Sequence, residues 1–170
     1  MREYILGSVA ATTTTGITIT GASTLNYLWP AAAPAANISF IRHAVGQAAN
    51  ATSAQQRVQV GFKTPTGGTG FITTSPAALK KIDPASSLAG AAVPAIGKCG
   101  TGISTDTEAT GTITTLIDDN FNVLNGYLFV STPPEAIVAP AGSAQLYQFW
   151  FPTAPGTVTG WNWYEVFAEI

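Results

Sequence analysis

Charge is what this chain has least of. Asp, Glu, Lys and Arg together make up 9% of its 170 residues, against roughly 25% in an average soluble domain. Seven basic residues scattered among nine acids cannot form the basic stripe that nucleic acid demands, so no nucleic-acid partner is expected. Hydrophobic residues stay at 46%, so a core can form and the chain lacks the low hydrophobicity of a disordered one. Thr, Ala, Ser and Gly stand where the charges would be. Such a surface suits a protein that something else covers better than it suits a free monomer.

Reactive groups are as scarce. With Cys99 alone, an internal disulfide and a cysteine zinc cluster are both excluded. The one histidine, His43, excludes a His-rich metal site. It falls mid-strand in Ile41-Arg42-His43-Ala44-Val45, where a satisfied structural role is expected, and no Gly-x-Ser-x-Gly elbow accompanies it. Glu165 and Glu169 share a strand face in the manner of a glycosidase pair, but no third residue supports them, and they read as solvated acids. Asp118 and Asp119 would point to opposite faces of a strand, so a turn beginning at Asp119-Asn120 is expected. The Gly-rich run Thr64-Pro-Thr-Gly-Gly-Thr-Gly70 lacks the Lys of a phosphate loop and reads as a loop tip. No enzyme, cofactor or metal is expected.

Long apolar runs are missing too. Thr, Gly and Pro interrupt every stretch that approaches the ~18 residues of a membrane helix, so no membrane partner is expected. Met1 to Leu6 carries an early acid and no signal-peptide core; the chain is expected to be made and to mature in a cytoplasm.

What is present is punctuation. Seventeen Gly and eleven Pro divide the chain into pieces of strand length, filled by β-branched and aromatic residues. Strands are expected at Ile17–Thr20, Ile38–Val45, Arg57–Phe62 (with Val58, Val60 and Phe62 on one face), Thr112–Ile117, Tyr127–Val130, Gln145–Phe151 and Thr157–Ile170. About seven or eight such strands suit an all-β fold, an antiparallel β-sandwich of jelly-roll type. The one helix signal, Ser75-Pro76 before Ala77 to Lys81, allows a turn or two before Pro84. Residues 1–36 read as an extended N-terminal arm or first strands, with Trp29-Pro30 opening a linker. Residues 37–170 read as one sandwich domain, and 63–110 as its long irregular Gly- and Pro-rich loop.

The last two strands break the rule of one apolar and one polar face. Tyr147, Phe149 and Phe151 oppose Leu146 and Trp150; Val158, Tyr164, Val166 and Ile170 oppose Trp161, Trp163 and Phe167. Either this strand pair sits in mid-sandwich with the long loop folded over its outer face, or the second face meets another copy or another protein. Under the second reading Trp150, Trp161, Trp163 and Phe167 form an interface. Tyr4, Ile5 and Leu6, with Trp29, are then the contacts of an arm laid over a neighbour by strand addition.

Several motifs together resemble small structural proteins of tailed-phage virions. These are Val45-Gly46-Gln47 before Gln55-Gln56-Arg57-Val58-Gln59-Val60, then Asp119-Asn120-Phe121-Asn122 with Asn125-Gly126-Tyr127, then Thr132-Pro133-Pro134-Glu135. The ending Thr157-Val158-Thr159-Gly160, followed by an aromatic strand with Glu165 and Glu169, is similar as well. The resemblance covers about residues 37–170. The first 36 residues, the length of the middle loop and Ala136, where the group has a second acid, depart from it. The resemblance implies a decoration or cement protein on the outer head surface. Its partners would be the major capsid protein and its own copies, in a homotrimer. A tail or head-fibre component that holds host carbohydrate is the alternative, with Trp161-Asn162-Trp163-Tyr164 as the run able to stack on sugar.

Overall fold

The structure is a computed structural model describing residues 2–7, 17–29, 37–48, 52–65, 79–82, 98–100, 111–132, 135–140, 142 and 145–170. Among them none is helical. Eleven strands follow one another: β1 (Arg2–Gly7), β2 (Ser23–Trp29), β3 (Ile38–Gln47), β4 (Gln55–Pro65), β5 (Leu79–Lys81), β6 (Lys98–Gly100), β7 (Gly111–Asn122), β8 (Tyr127–Val130), β9 (Ile137–Ala139), β10 (Leu146–Phe151) and β11 (Trp161–Glu169). One antiparallel sheet has the order β5-β1-β11-β3-β8, with β9 also on β3; the other runs β6-β2-β10-β4-β7. With the short β5, β6 and β9 set aside, the chain passes between β1, β11, β3, β8 in one sheet and β2, β10, β4, β7 in the other at every step but one, β4 to β7, which pair within a sheet. That alternation is jelly-roll topology, and it confirms the expected sandwich.

The doubly apolar strands now have a physical reason. β10 and β11 are not hydrogen-bonded neighbours; each is central in its own sheet. Tyr147, Phe149 and Phe151 therefore face Trp161, Trp163 and Phe167 across the interior, all in one buried cluster. Phe151 and Trp161 meet edge to face, ring centroids 4.9 Å apart. The expectation that Trp161, Trp163 and Phe167 form an outward interface is thus corrected: the chain's own second sheet covers them.

Tyr4, Ile5 and Leu6 are corrected likewise. They lie in β1, which pairs with β11 from Arg2↔Glu169 to Gly7↔Tyr164, and Tyr4 and Leu6 are fully buried. Ile17 bridges Trp161 and Ile19 is buried, so these segments are parts of the domain and not an arm. An extended β1 gains main-chain partners on both sides, β5 and β11, and two core anchors, which leaves nothing to reach a neighbour. Leu79–Lys81, expected at the end of a helical turn, is strand β5 instead. Ser75-Pro76 lies outside the described residues, as does most of 66–110.

Irregularities set which side chains face in. β3 slips register opposite Val166/Phe167, Arg42 and Phe40 being their partners, which leaves Ile41 as a bulge. Ile38 and Phe40 face inward before it; His43 and Val45 do so after it, while Arg42 is exposed. β2 bulges at Leu25 between Asn26 and Thr24. There the Trp163 indole N–H, from the opposite sheet, donates to Leu25 O at 2.9 Å and Asn26 Oδ1 at 3.2 Å. Asn26 Nδ2 in turn donates to Leu6 O at 3.3 Å, so a polar tie crosses the core. Trp163→Phe keeps most of the ring and removes the donor, stranding two buried acceptors. It is expected to cost about 1–3 kcal/mol, read as a fall of several degrees in Tm. Gly61 permits another close approach: any Cβ there would collide with the Thr114 carbonyl of β7, so only glycine lets these strands pair.

The strand β7 runs on to Asn122, which corrects the turn expected at Asp119-Asn120. The reversal comes later, where Asn125 N–H donates to Asn122 O and Gly126 takes a φ of 70°. Asp118 is used on the strand, paired with Arg57. The Arg57 hydrogen bond, and then one from Gln59, lower its pKa to about 2.

Candidate functional site

Three places carry chemistry, and the first is inside the core. The β3 bulge turns His43 inward, and β11 turns Glu165 inward between Trp163 and Phe167. Both are fully buried. The Tyr147 hydroxyl is hydrogen-bonded to the His43 ring, 2.6 Å from Nε2 and 3.2 Å from Nδ1. Glu165 Oε2 lies 3.8 Å from His43 Nδ1, beyond hydrogen-bond reach, and neither carboxyl oxygen has a partner. Phe129 and Phe149 pack on the imidazole with centroids 5.8 and 5.3 Å away. Burial pulls the His43 pKa down to about 3 and pushes Glu165 well above the carboxylate range. It also raises Tyr147, with the Glu165 charge adding to the effect. Both shifts favour the neutral forms, an unprotonated imidazole beside a protonated carboxyl, inside the core. His43 fits the structural role expected of it. Glu165 corrects the expectation of a solvated acid: Glu165 falls on the inward phase of β11, and only Glu169, at the strand end, is partly exposed.

The second place is a trough on the outer face of the β1–β11–β3–β8 sheet, with a cavity volume of about 730 Å³. Its form follows from the register. One row across the strands reads Gly7, Tyr164, Ala44, Leu128; the next sets Asn162 beside Gly46. Ala44 and Gly46 leave a low floor on β3, and a Cβ at Gly46 would meet nothing within 4 Å. Tyr164 rises between Gly7 and Ala44 with no bulky neighbour in its row. Asn162 and, from the β7–β8 turn, Asn125 add exposed amides. Among the described residues no charged one lines the trough.

The third is a depression of about 560 Å³ on the outer face of the other sheet, lined among others by Trp150, Gln148, Thr24 and Gln59. Gln148 Nε2 donates to Thr24 Oγ1 at 2.9 Å. Of the residues expected at an interface, Trp150 alone among the described aromatic side chains faces outward, and it is 7% exposed. Ile5 is outward and partly exposed beside the trough. Trp29 ends β2 opposite Lys98, and its side chain lies outside the described residues. The sequence-predicted residues are thus not brought together: most line the core, Ile5 borders the trough, and Trp150 sits on the opposite face.

Among the described residues no three His, Cys, Asp or Glu side chains converge as a metal site. No protein-family model matches the chain, and no curated protein or solved structure is found to be similar to it.

Proposed function

We propose that this chain is a tailed-phage virion structural protein that sits on the outer head surface as an oligomer and stabilises the capsid. The observation that supports this most is one side of the sandwich. β7 is the edge of its sheet, β8 and β9 flank β3 at the edge of the other, and a tight turn holds β7 to β8. Ile113 and Leu116 on β7, Leu124 in the turn, Leu128 and Val130 on β8 and Val138 on β9 are 39–61% exposed. Long apolar edges on a soluble domain call for a partner. The low charge of the chain reduces the desolvation cost of covering them.

The reading is tested by co-sedimentation with tailed-phage heads stripped of this protein, alongside light scattering for its oligomeric state. Leu116→Lys and Leu128→Lys are expected to abolish head binding and leave Tm within about 1–2 °C, since both side chains are solvent-exposed. A wild-type chain that stays monomeric and never co-sediments would sink the reading.

A further inference from the structure

We infer that the trough on the outer face of the β1–β11–β3–β8 sheet is a binding site for a neutral saccharide, with Tyr164 as the stacking platform and Asn162 and Asn125 as the hydrogen-bonding pair. The trough borders the β7–β8 edge and shares Leu128 and the turn residue Asn125 with it, so variants at Tyr164 and Gly46, away from that edge, read the saccharide site separately from the capsid role.

Three observations converge. The first is an aromatic ring with room beside it. Tyr164 is flanked in its row by Gly7 and Ala44, and the bulkier Ile5 that also lines the trough sits one outward position further along β1. A central strand position normally packs an outward aromatic against its cross-strand neighbours; here those neighbours are the two smallest residue types. The second is polarity of one kind. Asn162 stands two residues from Tyr164 on the same face, roughly 7 Å along the strand, and Asn125 is exposed at the trough's end. An amide presents both donors and an acceptor, which suits vicinal hydroxyls able to do both. The third is the absence of charge among the described residues of the lining, which gives an ion nothing to pair with there. The volume falls within the roughly 300–1,000 Å³ of ligand clefts, where an apolar lining with a few placed polar groups sets orientation.

A proline-rich peptide is the competing occupant. Its grooves are lined by several aromatic rings that grip successive turns. Three aromatic residues line this trough, but Trp163 belongs to the core and Tyr127 packs against it, so Tyr164 alone stands as an outward ring beside Asn162 and Gly46, a pattern that fits a sugar with one apolar face and a hydroxylated rim.

The experiment is a glycan array of neutral oligosaccharides of glucose, galactose, mannose and N-acetylglucosamine, followed by saturation-transfer NMR on any hit, with a proline-rich decapeptide as a parallel probe. The wild-type protein is expected to bind at least one saccharide family. Tyr164→Ala is expected to weaken that binding by about tenfold or more, and Tyr164→Phe to keep most of it. Gly46→Leu is expected to block binding by filling the floor, where the added Cβ has open space and Tm should stay near wild type. Tm is measured for every variant, so that loss of fold is separated from loss of binding. An empty array, saccharide binding that survives both Tyr164→Ala and Gly46→Leu, or preferential capture of the peptide would each overturn the assignment.

Discussion

Stability is expected to be highest between about pH 4.5 and 6.5 and to fall as the pH rises above that window, and Glu165→Gln is expected to remove the fall. The signs follow from counting protons on His43 and Glu165. Folded, the pair favours a single proton, held on Glu165, because burial lowers His43 and raises Glu165. Unfolded, the two titrate at their ordinary values of 6.5 and 4.5. Below 4.5 the unfolded chain binds two protons against one, so stability rises with pH. Between 4.5 and 6.5 both states hold one, and the curve is flat. Above 6.5 the unfolded chain holds none, and each pH unit removes up to about 1.4 kcal/mol until Glu165 ionises in the fold. The other shifted groups act elsewhere: Asp118 near pH 2, Tyr127 and Tyr147 above 10. Melting curves from about pH 4 to pH 9 read the slope directly. Glu165→Gln cannot ionise and should flatten the alkaline limb; His43→Phe should flatten the acid one. An alkaline limb equally steep in Glu165→Gln would show that the buried carboxyl is not its source.

Trp161→Ala is expected to be the most damaging single substitution among the aromatic residues of β11, costing about 3–5 kcal/mol. Its ring is fully buried, meets Phe151 and Phe121 across the interior, and donates its N–H to Thr157 O at 2.8 Å. Its main chain exchanges hydrogen bonds with Ile17 at 2.8 and 3.0 Å, fastening the segment that leads into β2. The measurement is chemical denaturation of dilute protein with the oligomeric state monitored in parallel. A residue of an intersubunit contact would lose association and keep its folding midpoint. Loss of midpoint independent of protein concentration is the outcome this structure requires; the opposite result would return Trp161 to an interface.

That contrast shows what the sequence makes legible. Alternation over Val58, Val60 and Phe62 and the recurrent Gly and Pro suffice for an all-β sandwich, because period and punctuation are local properties. The partner of each face is not local. The motif of two aromatic faces on β10 and β11 reads the same whether they cover each other or meet another molecule, and only the jelly-roll alternation decides between them. Glu165 eludes sequence reasoning because an acid on an inward phase is rare, and His43 faces inward only through the bulge at Ile41. The trough leaves a fainter signal, Ala44 and Gly46 two apart on a strand of otherwise large residues. It becomes a site only when register sets Tyr164, Asn162 and Leu128 around them.

The position of β11 has a kinetic side. It is the last of the eleven strands to be synthesised, yet it lies between β1 and β3 in the middle of its sheet. At ribosomal speeds of about 5–20 residues per second, β1 waits roughly 8–30 s for its principal neighbour. Through that interval β1 presents an open edge, as β3 does once it is made, while β10 emerges only shortly before β11. Frequent Gly and Pro limit premature strand pairing in the nascent chain, whose low charge gives it little electrostatic protection against association. Completion of the fold becomes a single late event, in which the final nine-residue strand closes both edges at once.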